Sequence, residues 1–154
     1  MSEAPEANEA QPDHVTALLD GTRDWLLSDL ITVFAQNGME MDITLNIGGT
    51  LVSGTLISGK TYFTEMADGF VKAPGLSTET VQVMDKYWRG WADIYDKPED
   101  AGEDWEPGPA SYVHLRNTRC FNGGDSPIPV NRGPLWRGRL SSIDGFWLGS
   151  LSSD

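Results

Sequence analysis

The side chains best suited to recognise another molecule are four arginines in the last third of the sequence: Arg116, Arg119, Arg137 and Arg139. A guanidinium carries several N–H donors in a fixed fork that matches carboxylates and phosphates, and its flat face stacks on aromatic rings. Arg137 and Arg139 are two positions apart in a predicted strand, so their side chains face the same side. If this strand pairs with the strand that carries Arg116 and Arg119, the arginines form a cluster. The alternative is that their charges are solvated or paired within the chain.

No catalytic or metal-binding motif is present in the sequence. His14 and His114, the two histidines, precede a predicted helix and lie in a predicted strand, so metal-ligand spacing such as HExxH is absent. No GxSxG nucleophile elbow marks a serine, and neither the GxxxxGK[ST] nor the GxGxxG phosphate loop occurs. We therefore predict no catalytic residue, no metal site and no cofactor. A hydrolase assembled from dispersed serines, acids and His114 is a minor alternative.

Three tryptophans are candidates for contact with a partner: Trp88, Trp91 and Trp105. Trp88 and Trp91 belong to a helix predicted over about 77–95, with Ser77 or Thr78 as its N-cap. Apolar residues recur in it every three or four positions. Core packing is one interpretation of this aromatic face. A docking face for another subunit is the other, because tryptophan and tyrosine dominate interface hot spots. Trp105 lies in an acidic loop, where it either anchors the loop to the body or reaches a partner.

The formal net charge of −12 is unevenly distributed. Residues 1–13 carry four acids and no base, residues 93–106 carry seven acids and one lysine, and residues 107–154 carry five arginines and three aspartates. A mainly acidic chain repels phosphate backbones, so nucleic acid is not a predicted partner. Attraction between acidic segments and arginines of different copies is one interpretation of the layout. Simple solvation of disordered segments is the other.

The length of 154 residues suits one compact domain. Residues 1–12 are predicted to form a disordered acidic tail, and residues 13–154 a single α+β domain. Cys120 is the single cysteine, which excludes an internal disulfide and suits a reducing cytoplasm. No run of about 18 apolar residues occurs, so we predict no membrane span and no membrane partner. The tail also lacks the basic and apolar regions of a secretion signal.

The stretch MDITLNIGGTLVSGTLIS, residues 41–58, predicts a β-hairpin. Its first part alternates apolar and polar residues, as a half-buried strand does. Gly48 and Gly49 then permit the positive φ angles of a tight turn. Gly54 in the second strand predicts a bulge or bend, by which a small sheet curls toward a barrel.

The remaining elements complete the predicted fold. A helix is expected over about 14–37, a helical insertion over 61–97 and an acidic loop over 96–110. SYVHLRNTRCF predicts one more strand, and LWRGRLSSI and GFWLGSLS predict two short strands in a hairpin around Asp144 and Gly145. The fold class is therefore α+β, with a strongly bent antiparallel sheet or small barrel of about five strands.

Three segments of the chain together resemble the gas-vesicle accessory protein family GvpU. They are DITLNIGGTLVSGTLISGKTYF, YVHLRNTRCF and WRGRLSSIDGFWLGSLS, which span most of the chain after the tail. The resemblance implies a cytoplasmic, non-enzymatic protein that acts on gas vesicles, the gas-filled protein shells used for buoyancy. It implies an accessory role in organising or clustering vesicles, with the shell or other gas vesicle proteins as partners.

A weaker, architectural resemblance is to the Sm-like small barrel, in which a helix precedes a strongly bent hairpin. Such barrels commonly form rings, and many bind RNA. The helical insertion and the acidic charge depart from that pattern. A ring-forming RNA-binding protein is thus one alternative function, and a binding module for an unknown protein is another.

The charge layout and the tryptophans suggest how clustering would work. The arginine-bearing strands of one copy would meet acidic segments of another, with Trp88, Trp91 and Trp105 as apolar anchors. Many weak contacts give avidity without a single tight site. We therefore expect homo-oligomers and multivalent self-association.

Overall fold

The computed structural model of the chain describes residues 21–124 and 126–151. The predicted tail at 1–12, and the first part of the helix predicted over 14–37, lie outside the described residues. The described residues form α1 (Trp25–Val33), β1 (Met41–Ile47), β2 (Thr50–Ile57), α2 (Gly59–Lys72), α3 (Thr78–Ala92), β3 (Tyr112–Phe121), β4 (Trp136–Arg139) and β5 (Gly145–Leu148). None of these helices is long and apolar enough to cross a membrane.

Serine N-caps begin the two helices that lie between β2 and β3. The Ser58 Oγ accepts a hydrogen bond from the backbone N–H of Thr61 at 3.0 Å, and α2 begins there. The Ser77 Oγ accepts one from Thr80 at 3.1 Å, which starts α3 at the predicted cap. Such caps satisfy backbone donors that the first helical turn leaves unpaired. A 3₁₀ turn, Asp93–Tyr95, follows α3.

All five strands form one antiparallel sheet in the order β4-β3-β2-β1-β5. The predicted α+β class is confirmed. β1 and β2 are the predicted hairpin, and its turn residues Gly48 and Gly49 have φ angles of 58° and 89°. Glycine adopts this left-handed region without the steric cost that a side chain brings.

The predicted hairpin around Asp144 and Gly145 is wrong. β4 pairs with β3 at one edge of the sheet, whereas β5 pairs with β1 at the other. The Asp144 backbone N–H donates to the Asn46 carbonyl at 2.8 Å, and its carboxylate accepts from the Gly48 backbone N–H at 2.7 Å. Asp144 therefore joins β5 to the β1–β2 turn instead of folding β5 back on β4.

The short connection between β4 and β5 requires a strongly bent sheet. β4 ends opposite Tyr112 at the start of β3, and β5 begins opposite Asn46, at the level where β3 ends. In a straight sheet these levels would be about 30 Å apart along β3. The five residues at 140–144 reach about 20 Å at most. Because β4 and β5 do not pair, the bent sheet stays open and is not a closed barrel.

A bulge between β2 and β3 lies at the predicted position. The pairing register shifts between Ser53 and Thr55. A Cβ atom on Gly54 would lie 2.9 Å from the backbone carbonyl oxygen of Arg116, closer than such atoms approach in practice. Across from it, Asn117 has a φ angle of 51°. The absence of a side chain at Gly54 thus permits the close approach that bends the strands.

Each face of the sheet packs against helices. The inner face, with α1 and the β4–β5 connection, holds an apolar cluster that includes Leu27, Ile31, Ile43, Leu45, Leu56, Leu115, Leu140 and Ile143. The outer face, with α2 and α3, holds a smaller cluster of Ile57, Tyr62, Phe63 and Ala92. Leu56 and Ile57 are neighbours in β2 but belong to different clusters, as alternation along a strand requires.

Substitution of Gly54 by alanine should destabilise the fold, because the new Cβ atom would meet backbone and side-chain atoms of β3. We expect the free energy of unfolding in urea to fall by about 1–3 kcal/mol, as for other overpacked sites. Gly69→Ala is the matched control, since a Cβ atom at this exposed position of α2 meets nothing within 4 Å. The control should gain about 1 kcal/mol from helix propensity. Equal effects of the two substitutions would contradict the role given to Gly54.

Candidate interaction surface

The pairing of β3 with β4 brings two of the predicted arginines to the outer face of the sheet. Arg139 lies opposite Tyr112, and Arg137 lies opposite His114. Directly opposed residues share a face. That face is the outer one, because the His114 ring lies 4.7 Å from the Tyr62 ring of α2.

The bulge brings the other two predicted arginines to the same face. Arg116 lies opposite Thr55 and Arg119 opposite Ser53. These arginines are three positions apart, so a regular strand would place them on opposite faces. The extra residue at the bulge restores their alignment. All four arginines therefore lie on the outer face, along β3 and β4.

Arg116 is held by carboxylates of its own chain. Its Nε lies 3.0 Å from both carboxylate oxygens of Glu65, and its Nη2 lies 2.5 Å from one of them. Its Nη1 donates to Glu40 at 2.8 Å. The hydrogen bonds to Glu65 and then to Glu40 raise the pKa of the Arg116 guanidinium above its ordinary value. This side chain ties β3 to α2 and to the segment before β1.

Arg137 and His114 form a second fixed contact. The Arg137 guanidinium carbon lies 3.5 Å from the centroid of the Tyr112 ring, and Nε donates to His114 Nε2 at 3.2 Å. Burial first, and the Arg137 charge second, lower the pKa of His114 to about 4. A neutral imidazole suits this contact, because Nε2 must accept. Among the described residues, His114 forms no hydrogen bond to a serine or a carboxylate. Its contacts therefore do not support the alternative of a hydrolase.

Arg119 borders an open cleft of about 550 Å³ that also contains Arg132 and Asn131. Arg119 donates to the Leu151 carbonyl oxygen at 3.0 Å. Within residues 21–124 and 126–151, neither Arg119, Arg132 nor Arg139 forms an ion pair with a carboxylate. Arg132 could not be predicted as a contact residue, because it lies in a loop with no periodicity that would place its side chain. The sequence shows it only as the fifth arginine of the basic C-terminal part.

The tryptophans divide between the core and the surface. Trp88 packs between Phe63 and Phe70, with ring centroids 6.1 and 6.2 Å away, so it serves the α2–α3 contact. Trp91 is 45% exposed. Trp105, in the acidic loop, borders a groove of about 660 Å³ together with residues of α1, of the 3₁₀ turn after α3 and of the start of β3.

The described part of the chain contains no group of three histidine, cysteine, aspartate or glutamate side chains that could hold a metal ion. What the outer face offers instead is guanidinium groups beside aromatic rings and open clefts. Such groups recognise carboxylates, phosphates and flat rings. The surface is therefore suited to binding such groups.

A family model described as "Gas vesicle protein GvpU-like" matches residues 24–151. The chain belongs to the GvpU-like family. The matched range contains every helix and strand of the structure, from α1 to β5. No curated protein and no solved structure matches the chain.

Membership of the GvpU-like family confirms the resemblance drawn from the sequence and makes this a gas-vesicle-associated protein. The GvpU-like family is not a known enzyme family. The matched range includes the outer-face arginines and both helices that pack over that face.

The lowered pKa of His114 predicts a loss of stability in mild acid. Unfolded histidine titrates near pH 6.5, whereas folded His114 titrates at about 4, so the unfolded chain binds a proton first as pH falls. The contribution of neutral His114 to the free energy of unfolding is present above pH 6.5 and is lost as pH falls toward 4. Between pH 7 and pH 5 we expect this contribution to decrease by about 2 kcal/mol.

Urea unfolding of the parent and of His114→Gln at pH 7 and pH 5 measures this effect. The acids and His14 are common to both proteins, so their contributions cancel in the difference. We expect the variant to be less sensitive to this pH change than the parent. An identical pH dependence would show that His114 is not held neutral.

Proposed function

We propose that this GvpU-like protein is a non-enzymatic, cytoplasmic accessory protein that clusters gas vesicles by multivalent self-association. In this proposal, arginines of one copy bind acidic segments of another, and the protein contacts the vesicle shell or other gas vesicle proteins. The observation that carries the proposal is a set of unpaired charges of both signs. Within the described residues, arginines on and beside β3 and β4 have no carboxylate partner, and acids of the loop before β3 have no basic partner.

The basic part consists of the side chains on and beside β3 and β4 that have no carboxylate partner within the described residues. They are Arg119, Arg132, Arg137 and Arg139. Arg116 was predicted to belong with them, but its two ion pairs to Glu65 and Glu40 favour a role in holding the fold. The proposal therefore gives Arg116 and Trp88 structural roles and adds Arg132 to the contact surface.

The acidic part is the loop between the 3₁₀ turn and β3. Asp96 at its start pairs with Lys60. Five further acids in the loop are exposed and form no ion pair within the described residues: Glu99, Asp100, Glu103, Asp104 and Glu106. Trp105 lies between Asp104 and Glu106, so it would add an apolar contact to the ionic contacts that these acids make with a second copy.

Contact between two different surfaces has a consequence for assembly. If the basic part of one copy binds the acidic part of the next, each copy keeps one surface of each kind available. Such head-to-tail contacts continue indefinitely unless the geometry closes a ring. Many weak contacts of this kind, displayed on vesicles, give the avidity that clustering requires.

The proposal predicts clustering that is sensitive to salt and to the sign of the charges. Purified protein is mixed with stripped gas vesicles and spun gently, and the buoyant layer is assayed for protein and for cluster size. We expect clusters at low salt and dispersal at about 0.5 M salt, where the screening length is about 4 Å. Clusters unchanged by salt would contradict the electrostatic contact, and protein left in the subnatant would contradict association with the shell.

A charge exchange identifies the surfaces. Arg119→Glu/Arg132→Glu and Glu103→Arg/Asp104→Arg should each reduce clustering when present alone. A mixture of the two variants should restore it, because the reversed loop of one now fits the reversed cleft of the other. Lys72→Glu, at the exposed C-terminal end of α2, is the control and should leave clustering unchanged. Failure of the mixture to recover would remove these residues from the contact.

A further inference from the structure

The face of α3 directed away from α2 carries an apolar seam that no part of the described chain covers. Its positions alternate at spacings of three and four, as in the contact line of a coiled coil: Thr80, Val83, Tyr87, Gly90 and, in the 3₁₀ turn, Ile94. Val83, Tyr87 and Ile94 are 62%, 55% and 60% exposed. The opposite side of α3 already packs on α2 through Trp88 and Ala92. The helix thus has two apolar sides, and the fold uses one.

Gly90 lies within this seam, and no contact with the described residues requires a glycine there. A Cβ atom there would meet nothing within 4 Å, and the residue is exposed. Glycine in the interior of a helix reduces stability relative to alanine. Its usual compensation is the close approach of another group to the backbone. A second helix crossing α3 at Gly90 would provide one.

The charges beside the seam indicate which second helix fits. Glu79, Lys86 and Asp93 follow one another at seven-residue intervals along a single flank. All three are exposed, and none forms an ion pair within the described residues. The signs therefore alternate along the flank, negative, positive and negative.

Two copies of α3 bring the Lys86 and Asp93 charges of this flank together when they run antiparallel. A two-fold axis beside Gly90 places the same flank of each helix against the other copy. Lys86 of each copy then lies at the level of Asp93 of the other, which gives two opposite-charge contacts. The same axis brings Tyr87 near Trp91 of the second copy. A parallel pair would instead place the charged flank against the flank that carries Trp91.

We propose that α3 is a homodimer interface, in which the seam of one copy packs antiparallel against the seam of a second copy across Gly90. The inference extends the proposed function, because it gives the self-associating protein a fixed two-copy unit. It uses a different surface and a different kind of contact. Because the seam is apolar, the dimer persists at salt concentrations that disperse the arginine–carboxylate contacts.

Sedimentation of the full chain without vesicles, at about 0.5 M salt, tests the proposal. We expect a dimer whose dissociation constant rises about tenfold or more in Val83→Glu. Val71→Glu, at a comparably exposed valine of α2, should dimerise like the parent. A monomeric parent, or equal effects of the two substitutions, would overturn the interface. If the parent is monomeric and Val83→Glu loses flotation, the seam binds the vesicle and not a second copy.

Gly90→Ala gives a readout that a merely structural role would not produce. The substitution should raise the urea midpoint of the monomer, through helix propensity, and weaken the dimer, because the methyl group lies at the crossing point. A dimer of unchanged affinity would contradict the crossing at Gly90.

Cross-linking determines the orientation. In a Cys120→Ser background, Lys86→Cys mixed with Asp93→Cys should form a disulfide-linked heterodimer in preference to Lys86→Cys homodimers. Preferential Lys86→Cys homodimers would overturn the antiparallel register. The charge-exchange variants should remain dimers. If their mixture also remains dimeric but does not recover clustering, the proposed function is rejected and the dimer is not.

Discussion

At Gly54 the backbones of β2 and β3 approach so closely that a Cβ atom would lie 2.9 Å from the Arg116 carbonyl oxygen. The bulge at this point bends the sheet, and the bend allows a five-residue connection to carry the chain from one sheet edge to the other. The same bulge changes the phase of β3, so that Arg116 and Arg119 share the outer face. The bend that encloses the core and the position of the arginines on the outer face therefore both depend on the bulge at Gly54.

On the outer face, arginines have different roles because their neighbouring side chains differ. Arg116 meets two carboxylates and holds secondary elements together. Arg119 and Arg139 meet none within the described residues. Partly exposed ion pairs contribute little stability, about 1 kcal/mol or less, so the apolar clusters supply most of it. A dimer through α3 would double the number of charged surfaces that each unit presents, which raises avidity without strengthening any single contact.

Features encoded by neighbouring residues were predictable from the sequence, and features encoded by distant ones were not. The Gly48–Gly49 turn, the Ser77 cap and the Gly54 bulge depend on local backbone chemistry. The partner of β5 depends on the bend of the whole sheet, so the turn-forming dipeptide before it was misleading. Glu65 is 51 residues from Arg116, and no spacing rule connects them. The helical period identified an aromatic face on α3 but not which tryptophan the core would take.

The pairing of β5 with β1 has a consequence for the newly made chain. Every other described strand leaves the ribosome before β5, so the edge of β1 that pairs with β5 stays unpaired until β5 has been made. An unpaired strand edge is a template for pairing with other chains. Nascent copies on one messenger are close together while that edge is open. The hydrogen bonds that Asp144 makes to Asn46 and Gly48 bring β5 to this edge, and so end the interval in which misassembly competes with folding.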